Sequence, residues 1–108
     1  MNNGVKLERF VFDALALCRG SIVMETDRVE EFAPIKNATG ADSVHSCHEL
    51  QTERAARWLE SRGIAVPRGA DGKPTCVIEI SPLTATEASE IPPNALPAKI
   101  AAGERLSL

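Results

Sequence analysis

"HELQTERAARWLESRG", residues 48–63, is the stretch that decides the fold class. Leu50, Ala55, Trp58 and Leu59 fall on one face at helical spacing, with polar residues around them. The spacing predicts a helix over 48–62, and Gly63 supplies the left-handed stop that ends it. Glu53 and Arg57, four residues apart, are expected to pair along that helix for about 0.3–0.5 kcal/mol. Beyond Gly63, "IAVP" leads to the turn signal "ADGKP" and then to "TCVIEI" (75–80), a β-branched run of strand length. A firm helix followed by a firm strand sets the class as α/β or α+β.

Toward the N-terminus the pattern continues. Residues Val5–Cys18 place Leu7, Val11, Ala14 and Cys18 at helical spacing, with Gly4 ahead and Gly20 behind, which predicts a first helix. "SIVMETD" (21–27) has the length and composition of a strand. Between it and the main helix lies "EFAPIKNATG" (31–40). There Pro34 fixes φ and removes a donor, so the segment reads as a stiffened loop presenting one lysine, Lys36. Toward the C-terminus, Pro82, Pro92, Pro93 and Pro97 break up the chain, and "KIAAGERLSL" has room for one or two short strands around Gly103.

Composition narrows the function. The 108 residues are 44% hydrophobic and 25% charged, ordinary for one globular domain. A net charge of −3 argues against a general binder of nucleic acid or anionic membranes. No apolar run approaches the ~20 residues of a transmembrane helix, and "MNNGVKLERF" is not a secretory leader. Cys18, Cys47 and Cys76 are an odd number without regular spacing, and read as reduced thiols of a cytoplasmic protein.

Among candidate site residues, Lys6 stands in the first turn of the expected helix, where free backbone N–H groups favour an anion. If the strand over 21–27 returns antiparallel to that helix, the Pro34 loop ends near the helix N-terminus. Lys6 and Lys36 then converge on a place that suits phosphate. From spacing alone the stronger reading of each is a solvated surface charge. "HSCH" (45–48) is read as the polar lead-in to the main helix rather than a metal site, because it lacks a second ligand pair. Glu25, Asp27, Glu30, Glu31 and Asp42 form no nucleophile–base set and are read as solvated carboxylates. Phe10 and Phe12 would point about 200° apart on a regular helix, so one faces solvent or a pocket, or the helix is irregular there. Trp58 is read as core.

Four blocks in order, "NNGVKLERFVFDALAL", "VMETDRVEEFAPIKNATGADS", "RAARWLESRG" and "VIEISPL", resemble the C-terminal end of UDP-N-acetylhexosamine pyrophosphorylases. These belong to the wider UTP–sugar-1-phosphate uridylyltransferase group. The resemblance implies a nucleotidyltransferase that condenses UTP with N-acetylglucosamine 1-phosphate, with Mg²⁺, giving UDP-N-acetylglucosamine and pyrophosphate. It implies that Lys6 contacts the nucleotide phosphates, that Lys36 contacts the sugar-linked phosphate, and that Phe10 and Phe12 help line the N-acetyl pocket. The alternatives are a glucose-1-phosphate uridylyltransferase fragment and a non-catalytic remnant or interaction module; the apolar Phe10-Val11-Phe12 wall favours the N-acetyl sugar.

The implied fold is α/β, a fragment of a nucleotidyltransferase-type, Rossmann-like mixed sheet with packed helices over 1–83, followed by an irregular Pro-rich tail over 84–108. The family's glycine-rich nucleotide loop, uracil-reading residues and metal-binding aspartate lie upstream of the first block. The chain is therefore expected to be the C-terminal part of such an enzyme, dependent on the missing N-terminal region and inactive alone. No catalytic residue and no metal ligand is assigned to this chain itself.

Overall fold

In the computed structural model, which describes residues 4, 5 and 7–108, regular structure is concentrated after residue 27. The single turn α1 (Arg28–Glu31) precedes the long helix α2 (Val44–Ser61), and the strands β1 (Val77–Glu79) and β2 (Arg105–Ser107) follow. Short 3₁₀ turns lie at Val11–Leu17, Ala88–Glu90 and Pro93–Ala95. The described residues are thus mixed α/β, as the central helix and strand predict.

Helix α2 starts at Val44 rather than at His48, because Ser43 caps it. The Ser43 hydroxyl accepts from the Ser46 N–H at 3.3 Å, and the Ser46 hydroxyl accepts from the Ser43 N–H at 2.9 Å. "HSCH" therefore lies inside the helix instead of leading into it. At the other end Gly63 stands at φ +83°. Its N–H donates to the Glu60 carbonyl and that of Ile64 to the Leu59 carbonyl, which is a Schellman stop.

Helix α2 buries Ala55, Ala56 and Leu59 against Cys76 and Ile78 from β1 and its approach, while Trp58 packs at the edge of the same cluster. Leu50 does not share this face as expected; it is exposed. The Glu53–Arg57 pair is also absent. Each side chain reaches a longer-range partner instead, Glu53 meeting Arg68 at 2.9 Å and Arg57 meeting Glu30 at 2.6 Å. Arg68 additionally binds Glu60 at 2.9 Å and donates to the Gly72 carbonyl, clamping the 67–75 turn onto α2.

Strand β1 covers only the middle of "TCVIEI", three residues of the expected six. It pairs in parallel with β2, Val77 opposite Arg105 and Ile78 opposite Leu106. A parallel pair needs a long crossover, and the Pro-rich segment provides it. That segment contributes Ala85, Ile91 and Ile100 to the core. Arg62, at the end of α2, holds the crossover by donating to the carbonyls of Ala88, Ser89 and Ile91 at 2.8–3.1 Å.

Two expected elements are not found. The helix over 5–18 is a 3₁₀ turn over Val11–Leu17 with no buried residue, and 21–27 holds no strand. The reason is the same for both. Apolar periodicity makes a stable helix or strand only when its face is covered, and Val11, Leu17, Ile22 and Val23 are all nearly fully exposed. The radius of gyration is 18.7 Å, against about 13 Å for a compact chain of this length. No helix among the described residues is long and apolar enough to cross a membrane.

Candidate functional site

The Pro34 segment is a built loop. Asn37 N–H and Lys36 N–H both donate to the Asp42 carbonyl, at 2.9 and 2.6 Å, and the Asn37 amide donates to the Ala41 carbonyl at 2.8 Å. Gly40 at φ +76° and Asp42 at φ +55° turn the chain back on itself. The left-handed region is open to glycine and tolerated by aspartate. Because Ser43 both bridges to Asn37 and caps α2, the backbone of Lys36 is fixed to the start of the main helix. The Lys36 side chain is exposed.

The approach to the loop is anchored as firmly. Asp27 caps α1 by accepting from the Val29 N–H at 2.9 Å. Glu30 then reaches α2, where it accepts from Arg57 at 2.6 Å and from the Trp58 indole N–H at 2.9 Å. Arg54 approaches more loosely, its Nε 3.4 Å from Glu30 and without a hydrogen bond. The Arg57 hydrogen bond foremost, then the Trp58 bond and the two guanidinium charges, hold the Glu30 carboxyl below the usual glutamate range against the opposing effect of burial. Glu30 is therefore not the solvated carboxylate expected. It is the latch between α1 and α2.

On the outer side of this frame, Phe32 carries two cations. The Arg28 guanidinium lies 3.9 Å from the ring centroid and the Lys36 ammonium 6.0 Å from it. The arrangement offers positive charge on an exposed, well-held loop, and it can bind an oxyanion. A groove of about 620 Å³ nearby is lined by Asp42, His45, Glu49, Lys73 and Arg105, but not by Lys36.

Of the candidate residues, Lys6 lies outside the described residues. The expected convergence of Lys6 and Lys36 rested on a helix over 5–18 and a strand over 21–27, and neither element forms. Phe10 and Phe12 do not point apart. Phe10 is extended, at φ −116° and ψ 145°, just ahead of the 3₁₀ turn, and its ring stacks on Phe12 at 4.8 Å and 9°. Both rings are exposed, and the ring beside the Lys36 ammonium is that of Phe32. Sequence reasoning passed over Arg28 and gave Glu30 and Arg57 other roles. The i,i+4 spacing of Arg28, Phe32 and Lys36 was the available signal for Arg28, while Glu30 and Arg57 pair across 27 residues and left none.

Comparison with known proteins gives relatives. The chain is 36% identical over 95 residues, 75% of its length, to human UDP-N-acetylhexosamine pyrophosphorylase-like protein 1, of which it covers 19%. It is 37% identical over 86 residues, 74% of its length, to UDP-N-acetylglucosamine diphosphorylase 2 of Arabidopsis thaliana, covering 16% of that protein. A probable UDP-N-acetylglucosamine pyrophosphorylase of Caenorhabditis elegans is 40% identical over 60 residues, 54% of this chain and 12% of the worm protein. The match falls in the C-terminal part of these relatives, and the chain spans less than a fifth of each one's length. No family model and no solved structure matches it.

Proposed function

Since the chain is related over 75% of its length to the UDP-N-acetylhexosamine pyrophosphorylases, enzymes by name, we propose that it provides substrate-phosphate contacts to such an enzyme. The reaction joins UTP and N-acetylglucosamine 1-phosphate. A phosphate oxygen of the sugar phosphate attacks the α-phosphorus of UTP, the bond to the β-phosphate bridge breaks, and pyrophosphate leaves. Little covalent chemistry falls to the protein, which positions two polyanions and neutralises their charge.

In this reading Lys36 binds the sugar-linked phosphate, Lys6 the nucleotide phosphates, and Phe10 and Phe12 the acetyl methyl. The observation that carries it is the loop: Lys36 has its backbone fixed by Asp42, and its ammonium pairs with no carboxylate among the described residues. The parallel β1–β2 pair is proposed as part of a larger nucleotidyltransferase sheet, because an isolated two-stranded sheet is marginal in water. The reading also takes the protein as cytoplasmic, where the free Cys18, Cys47 and Cys76 stay reduced. Mg²⁺ is the cation this chemistry uses on phosphates. Among the described residues no three His, Cys, Asp or Glu side chains converge to hold one, so no step here runs through it.

The test is a chimera in which this chain replaces the matching segment of the Arabidopsis enzyme, assayed for pyrophosphate release. Lys36→Ala removes a charge-assisted contact of about 1.5–3 kcal/mol, and should lower kcat/KM for the sugar phosphate by about 10- to 150-fold. The KM for UTP should hold. Unchanged KM and kcat for the sugar phosphate would return Lys36 to being a surface charge.

A further inference from the structure

We propose that Arg28 is a second phosphate-binding side chain of this site, acting with Lys36 on the dianionic phosphate of the sugar 1-phosphate. The inference rests on the reading of Lys36 given above.

Four observations carry it. First, Arg28 and Lys36 share one support, the Phe32 ring, at 3.9 and 6.0 Å. Second, neither cation is taken by an acid among the described residues, although acids surround them. Asp27 is spent on the Val29 N–H and Glu30 on Arg57 and Trp58. Glu31, three residues beyond Arg28 on α1, is placed for an i,i+3 pair, and no such pair forms. Third, a guanidinium laid over a ring uses its face and leaves its in-plane N–H donors free for the two oxygens of a phosphate edge. Fourth, both cations stand on one frame. Glu30 ties α1 to α2, and the Asp42 carbonyl ties Lys36 to the cap of the same helix.

The charge arithmetic agrees with the geometry. A phosphate monoester has its second pKa near about 6 and carries almost two negative charges at neutral pH. One ammonium balances half of that. Lys36 contributes a point charge and Arg28 a planar fork, the usual division of labour between these side chains on phosphate.

The experiment titrates N-acetylglucosamine 1-phosphate, and inorganic phosphate in parallel, into the full ¹⁵N-labelled chain while following the Arg28 side-chain Nε–H resonance. That resonance should move on binding. Arg28→Gln and Lys36→Ala should each weaken binding by about tenfold or more, and Arg28→Lys should recover part of the loss. Binding by the unsubstituted chain should tighten from pH 5 to pH 7 as the dianion forms, and Arg28→Gln should flatten that rise. A purely structural Arg28 would not produce the flattening. Arg28 is exposed, and an unchanged backbone spectrum identifies a folded variant. Loss of binding in Lys36→Ala but not in Arg28→Gln overturns the inference and leaves the reading of Lys36 standing. Loss in neither, or no binding by the unsubstituted chain, overturns both.

Discussion

Replacing Glu30 by Gln should undock α1 from α2. The carboxylate accepts a charge-assisted bond from Arg57 at 2.6 Å and another from the Trp58 indole at 2.9 Å. Bonds of this kind are worth about 1.5–3 kcal/mol each when well shielded. Glu30 and Arg57 are each 32% exposed, so solvent screening brings the whole latch down to about 1–2 kcal/mol. That is a factor of about 5–30 in the docking equilibrium. Trp58 is the only tryptophan, so its emission reports the docking directly. Glu30→Gln should shift that emission toward the solvated value while α2 keeps its helicity.

An acid titration adds a sign. The folded-state pKa of Glu30 is depressed, so the latch is fully present above the ordinary glutamate value of about 4.3 and fails as pH falls through the lower, folded one. The wild-type emission should therefore change as pH falls below the ordinary glutamate range, and Glu30→Gln should show the undocked signal at every pH. If the variant kept the wild-type emission at neutral pH and the same acid transition, Glu30 would not be the latch.

Leu59 is completely buried between α2 and the sheet, so Leu59→Ala should cost about 2–5 kcal/mol, read as loss of cooperative thermal unfolding. Gly63→Ala puts a Cβ on a backbone at φ +83° and should cost about 1 kcal/mol in denaturant melts, with no clash involved because nothing lies within 4 Å of that position. The 108-residue polypeptide by itself should release no pyrophosphate from UTP and N-acetylglucosamine 1-phosphate, since it spans 19% of its human relative. Turnover that survives purification and disappears in Lys36→Ala would contradict this.

The main helix was legible because Ala55 and Leu59 repeat at the right interval and Gly63 closes it. Its true start was not, because Ser43-x-x-Ser46 caps through two hydroxyls where Glu or Gln is the familiar partner. The segments over 5–18 and 21–27 misled for a different reason. Their spacing encodes apolar faces, and a face dictates structure only where something packs on it; among the described residues nothing covers Val11 or Val23. The Lys36 loop was readable from Pro34 and from the turn residues after it. Its anchor was not. Glu30 looks like any acid beside Glu31 until α2 brings Arg57 and Trp58 to it, and local spacing carries no trace of a partner so far along the chain.

The parallel register of β1 and β2 also sets an order of assembly. Val77 cannot find Arg105 until the whole crossover has been made and closed, and closing a flexible loop of that size costs about 3 kcal/mol of chain entropy before the pairing returns anything. Helix α2, built from local contacts, has no such delay. It samples its turns early but stays marginal, with Ala56 and Leu59 uncovered, until Ile91 and Ile100 are delivered. On a ribosome that interval lasts at least as long as the translation of residues 80–108, on the order of seconds at the usual elongation rates. The slow step in this fold is therefore closure of the crossover, and substitutions there should change the folding rate more than substitutions in α2 do.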